Sequence, residues 1–217
     1  MKGLLIKDFK LLKNMRNSMV LILLISVMMA AYTKKLSFII MYLSLLGATF
    51  TISTLSYDEF ENGYAFLLSL PVTRRGYVKE KFCFGLILSV GAWLSGTVIA
   101  VAMEFVRKTA SVPDILMEAI TLLPSAVLLL SVMLPLRLKF GSEKGRIVMI
   151  GAAGLVFGLF YLAAKLGKEL NLNLGAVEES LAGLGEGVMT AAGIAVGIAI
   201  LFISYRISIS IMKKKEF

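Results

Sequence analysis

Residues 36–56, LSFIIMYLSLLGATFTISTLS, run for 21 positions without a charged side chain. A bilayer hydrocarbon core of roughly 30 Å is crossed by about 20 mostly apolar residues in a helix, and this stretch has that length. Outward from it lie five more runs of the same kind, at 17–33 on one side and at 82–103, 115–136, 147–164 and 188–205 on the other. The first is the shortest and needs a residue or two from its flanks. Apolar residues make up 58% of the chain and charged residues 17%, against about 45–50% and about 25% in soluble domains. Six spans in 217 residues leave no room for a separate soluble domain. Residues 1–217 therefore read as a single transmembrane domain, all-α and polytopic, with six transmembrane helices.

The charges sort with the spans. With the N-terminus inside, 17 of the 23 basic residues fall on the cytoplasmic side, among them Lys2, Lys7, Arg74, Arg75, Arg137 and Lys213. The other six are Lys34, Lys35, Arg107, Lys108, Lys165 and Lys168. The acids divide evenly, so the net charge is +10 inside and −1 outside. Lys and Arg near span ends set orientation, which places both termini in the cytoplasm. The overall charge of +9 reads as topology and attraction to anionic lipid, not as a nucleic-acid surface. The charged N-terminal stretch is too long for a cleavable signal peptide, and no small-residue cleavage motif follows the first span.

Residues 1–16, MKGLLIKDFKLLKNMR, form an interfacial amphipathic helix in this reading. Leu4, Leu5, Phe9 and Leu12 share one side, and Lys7, Lys10 and Lys13 lie largely on the other. Such a helix rests at the head groups with its apolar face in the acyl chains, or simply orients the first span. The richest loop is 57–82, YDEFENGYAFLLSLPVTRRGYVKEKF, with 57–81 as the cytoplasmic segment proper. Asn62-Gly63 is a turn signal. The apolar stretch 64–70 is too short to span, and Pro71 ends it because the residue before a proline disfavours helix. Thr73 then caps a new helix that runs into the third span.

Two features of this loop break local rules. Arg74 and Arg75 stand in the first turn of a helix, where the macrodipole favours acids, and Phe66, Leu67, Leu68 and Leu70 are apolar residues on the water side. Such violations concentrate at functional sites. A short apolar helix followed by paired arginines suits a groove on a cytoplasmic partner; the plainer alternative lays the leucines in the membrane surface and the arginines on lipid phosphate. Residues 137–146, RLKFGSEKGR, are either a second partner contact or a turn. The longest external segment is 165–187, with 177–184 as a short helix on the surface or dipping into the membrane.

Within the spans, Gly154-x-x-x-Gly158 and Gly193-x-x-x-Gly197 are small-residue patterns that permit close helix contact, either inside the chain or in a dimer. Pro124 kinks the fourth span and Pro135 marks its end. Met28, Met29 and Met41 offer adaptable apolar surface for a varied hydrophobic ligand, or plain packing. No charged residue lies near the middle of a span, which argues against ion-coupled transport. There is no histidine, which removes His-based nucleophilic triads and imidazole metal sites. No G-x-x-x-x-G-K-[ST] motif occurs. Cys83 is the lone cysteine, so no intramolecular disulfide forms. The chain is not an enzyme in this reading.

The segment Tyr57-Asp58-Glu59-Phe60-Glu61-Asn62-Gly63, then Leu67-Leu68-Ser69-Leu70-Pro71-Val72-Thr73-Arg74, resembles the loop of bacterial ABC-2-type transporter permeases, in which an acidic-Asn-Gly turn precedes LLSLPV and a Ser/Thr-Arg pair. The opening GLLIKDFKLLKN resembles that family's N-terminal interfacial helix, and six spans with both ends inside match it over the whole chain. Within the family, the chain is similar to the small permeases that export phenol-soluble modulins, which are amphipathic helical peptides; related subfamilies handle lantibiotics, other antimicrobial peptides and drugs. The resemblance implies a homodimer in the bacterial cell membrane, working with two separately encoded ATPase subunits that hold the ATP and Mg. This chain itself would bind no cofactor and no metal. It also implies that the loop is a coupling helix seated on the ATPase, through Glu59, Glu61, Asn62, Gly63, Phe66, Leu67, Leu70, Pro71, Arg74 and Arg75. Larger members carry an external domain or re-entrant exit helices between spans five and six, for which this chain has only 165–187. Rival readings are an ABC-2-type exporter of a drug or lantibiotic, and a non-transporting membrane anchor or sensor subunit.

Overall fold

The computed structural model describes residues 2–33, 35–60, 63–108, 111–169 and 185–215. These form seven helices: α1 (Lys2–Asn14), α2 (Arg16–Tyr32), α3 (Ser37–Glu59), α4 (Gly63–Ser69), α5 (Arg74–Arg107), α6 (Val112–Glu169) and α7 (Glu186–Lys214). No strand occurs among the described residues. Among the described residues, four stretches are long and apolar enough to cross a membrane: α3, α5, Val112–Gly141 of α6 and Gly187–Lys214 of α7. A fifth is made if α1 and α2, which meet at a 64° bend, count as one span. The expected first span falls on α2, which at 17 residues is short of a crossing on its own. The expected fifth span, 147–164, lies in the second arm of α6, which is helical throughout. The external segment 165–187 lies mostly outside the described residues.

Local chemistry sets several boundaries where the sequence places them. Helix α4 ends at Ser69, two residues before Pro71. Thr73 caps α5, its hydroxyl accepting from the Gly76 amide at 3.0 Å, so α5 extends the third span outward as expected. Helix α6 departs from expectation. It continues through Pro135 and breaks only at Gly141, with φ 73° and ψ −171°. That conformation is open to glycine and strained for other residues, so one residue replaces the loop expected over 137–146. Leu134 and Leu138 are buried in the core, and their packing holds this turn helical past the proline.

The core of the bundle is α3 against α5. A methyl at Gly47 would stand 2.8 Å from both the Leu88 carbonyl oxygen and Ala92 Cβ, and one at Gly96 would stand 2.9 Å from Ile40 Cα. At Gly85 it would stand 2.6 Å from a Leu130 methyl. In lipid, helix association rests on such close packing, since the acyl chains are as apolar as the side chains. The small-residue patterns noted in the sequence are placed differently. A Cβ at Gly193 or Gly197 would rest on Pro124 at ordinary contact distances of 3.6 and 3.7 Å, and among the described residues none comes within 4 Å of one placed at Gly154 or Gly158.

Two apolar clusters occupy the ends of the bundle. One gathers Leu55, Tyr64, Leu67, Tyr77, Leu134 and Met212 at the α4 end. The other gathers Ala30, Ile39, Ile40, Leu43, Ala100 and Ala119 at the far end. Polar side chains stitch helices together between them. Trp93 Nε1 donates to the Ala119 carbonyl at 2.8 Å, and Ser204 Oγ to the Ser131 carbonyl at 2.5 Å. Arg107 donates to the carbonyls of Thr33 and Ala30, placing a cation at the C-terminus of α2, where the helix dipole favours it.

Candidate functional site

The α4 end carries the residues that the loop chemistry singled out. Helix α4 folds back tightly on the end of α3: a Cβ at Gly63 would stand 2.6 Å from the Asp58 carbonyl oxygen, so the turn needs glycine there. One face of α4 is then buried. Tyr64 and Leu67 join the core cluster, and the Tyr64 ring meets Tyr77 edge-on at 5.7 Å. Burial, and then the Glu59 carboxylate, push the Tyr64 phenol well above its ordinary pKa, so it stays neutral. The opposite face is bare. Phe66 is 68% exposed and Leu70 43% exposed, and Pro71 and Arg75 are exposed beside them. Glu61 and Asn62 lie outside the described residues.

Two of the candidate residues turn inward. Glu59 pairs with Lys215 at 3.5 Å. The same ammonium sits 4.9 Å over the Tyr64 ring and donates to the Leu138 carbonyl at 3.2 Å, which ties α4 to α3, α6 and the end of the chain. Arg74 donates to the carbonyls of Met212 and Lys213 at 3.3 and 2.7 Å. The arginine that looked misplaced at the N-terminus of α5 therefore caps the C-terminus of α7, where a cation is favoured. Arg74→Ala should destabilise the protein by about 1–2 kcal/mol, read as a lower melting temperature in detergent. Arg75→Ala should leave that temperature unchanged, and equal melting of both variants would remove the capping role.

Beneath this surface lies an ionic cluster that the sequence reading missed. Asp8 of α1, Asp58 of α3 and Lys81 of α5 are buried together. Lys81 Nζ bonds Asp8 Oδ2, stands 2.8 Å from Asp58 Oδ2 and donates to Thr54 Oγ1 at 3.3 Å. Lys7 bonds the other oxygen of Asp58, and Tyr77 donates to Asp58 Oδ2 at 2.9 Å. The expectation that Lys7 lies on the outer, polar face of α1 is thus corrected. Asp8 must reach Lys81, and Lys7 beside it is drawn under the helix with it. Leu4 on the same helix is buried in the core cluster, while Phe9, on the expected apolar face, keeps only an edge contact to Phe84 and is otherwise exposed. The acids and lysines near span ends had read as orientation signals. The one available cue was Asp8, a lone acid among four lysines and an arginine in residues 2–16.

The far end holds an open cavity of ≈ 980 Å³ between α6 and α7, with Asp114, Glu118, Met117 and Met189 on its walls. Thr121 and Thr190, whose hydroxyls are 3.3 Å apart, also line it. The candidate methionines do not line it: Met28 and Met41 are exposed elsewhere on the surface and Met29 is half-buried. Among the described residues, no group of histidine, cysteine or acidic side chains is arranged to hold a metal ion.

Compared with known proteins, residues 3–213 match the family model described as ABC-2 family transporter protein. No curated protein and no solved structure matches the chain.

Proposed function

We propose, for a chain that belongs to the ABC-2 transporter family and is a transmembrane permease subunit of an ABC transporter, that its work is the ATP-driven export of amphipathic or apolar peptides. Membrane subunits of this family generally pair with an ABC ATPase. In the proposed assembly two copies of this chain stand in the bacterial cell membrane, each with six spans and both termini in the cytoplasm. Helix α1 lies at the inner interface. ATP and Mg are held, and ATP is hydrolysed, by two copies of a separate subunit.

One observation supports the docking site above others: α4 is seated by Tyr64 and Leu67 in the core yet displays Phe66 and Leu70. A rigid element with a bare apolar tip transmits a push, because its buried face cannot slip. Closure of the ATPase pair on Phe66, Leu70, Pro71 and Arg75 would move the ends of α3 and α5 between which α4 sits, and so reopen the packing of the two most closely apposed helices. The apolar surfaces of α2 and α7, and no fixed intramembrane charge, would then accommodate substrate. Peptides of the phenol-soluble modulin kind fit that surface, and drugs or lantibiotics are the alternative cargo.

Leu70→Asp and Arg75→Glu should weaken binding of the ATPase encoded beside this gene by roughly 30-fold, the scale of one interface hot spot of about 2 kcal/mol, while membrane insertion stays normal. Co-purification in detergent and ATP hydrolysis in nanodiscs read this directly. Normal assembly by both variants would sink the docking role. An ATPase rate indifferent to any amphipathic peptide would favour the anchor reading over transport.

A further inference from the structure

The charges beneath α1 do not balance. Lys7 and Lys81 face three carboxyl groups, those of Asp8, Asp58 and Glu80. Asp8, Glu80 and Lys81 have no exposed surface, and Asp58 only 4%. An ammonium group has three donors, and those of Lys81 are committed to Asp8, Asp58 and Thr54. None remains for Glu80, whose nearer oxygen is 4.0 Å from that nitrogen. Lys7 bonds Asp58 and pairs with Asp8 Oδ1 at 3.1 Å.

The orphaned atoms fall together. Both oxygens of Glu80 accept no hydrogen bond, and the Lys81 ammonium beside them stands 4.0 Å away. A buried carboxylate without hydrogen bonds is costly, whereas the neutral acid carries no charge to bury. A single proton on Glu80 therefore cancels the surplus charge, which is far cheaper than burying that charge unpaired.

We propose that Glu80 is a proton-binding site within the ionic cluster that latches α1 onto α3 and α5. The titratable groups around it are Lys7 and Asp8 of α1, Asp58 of α3, and Tyr77 and Lys81 of α5. The latch is independent of the cargo carried. Because the bound form is the neutral one, its stabilisation is present at lower pH and lost as the pH rises through the site's own titration. The proton then leaves to water, and the remaining buried negative charge loosens α1.

Infrared spectroscopy of the full chain in nanodiscs tests this. The wild-type protein should show the carbonyl stretch of a protonated carboxylic acid near neutral pH, lost on alkalinisation. Glu80→Gln, which mimics the protonated form, should lack that band, and Glu118→Gln, on the surface, should keep it. Hydrogen exchange gives a second readout. Amides of α1 should lose protection at alkaline pH in the wild type and keep it in Glu80→Gln. A wild-type spectrum without the band near neutral pH would overturn the site, as would a band that survives Glu80→Gln, or α1 amides already unprotected in that variant near neutral pH.

Discussion

Lys81→Met is expected to detach α1 from the bundle and to cost about 3–5 kcal/mol, the range for removing one partner of a buried charge network. Methionine is close to lysine in length, so the loss is one of charge and hydrogen bonds more than of volume. Asp8, Asp58 and Thr54 would lose their common donor, and Lys7 alone would face both carboxylates. Thermal unfolding in detergent and hydrogen exchange over residues 2–14 measure the two consequences. Lys79→Met, at an exposed position two residues before Lys81 on α5, should change neither. Adding Asp8→Asn to Lys81→Met removes one stranded charge and should recover part of the loss, with an interaction energy of about 1–3 kcal/mol from the double-mutant cycle. Wild-type stability in Lys81→Met would show that the cluster does not hold α1.

Gly96→Val is expected to be as damaging, for a different reason. Its Cβ would meet Ile40 Cα at 2.9 Å, and a backbone atom inside a helix cannot rotate away as a side chain can. The helices α3 and α5 must separate, opening gaps along their whole contact, and no water-driven term closes them in a bilayer. The cost is about 3 kcal/mol, at the upper end of the usual range for overpacking. Gly47→Val, with backbone and Ala92 each 2.8 Å from the new carbon, should behave alike. Gly154→Ala and Gly158→Ala meet no described residue within 4 Å and should leave the chain's own fold intact. The yield of monodisperse protein and its resistance to protease rank the four variants. Equal yields across the set would remove α3–α5 contact as the centre of the fold.

The candidate docking surface was largely legible before the fold was known. Gly63, Phe66, Leu70, Pro71 and Arg75 stand out because each breaks a rule that operates over a few residues: a turn, an apolar group facing water, a proline stop, a cation at a helix start. Arg74 broke the same rule for another reason, since its partners lie 138 and 139 residues away at the end of α7. The glycines were misread in a similar way. Gly154 and Gly158 carry the recognised spacing, yet no described residue comes within 4 Å of a Cβ placed there, while Gly47 and Gly96, each without a glycine four residues away, stand where the backbones of α3 and α5 meet.

By itself, the order of residues determined the all-helical membrane class, the breaks and caps around α4, and the family's loop pattern. Each depends on side chains within a turn or two of one another, or on the length of an apolar run against the thickness of a bilayer. Only the tertiary structure decided which charges are buried. Asp8 and Lys81 are 73 residues apart, and each, read alone near a span end, is an ordinary interfacial charge. Their meaning arises when α1 folds under α3 and α5, because a charge removed from water must find its partner there or be neutralised by gaining or losing a proton.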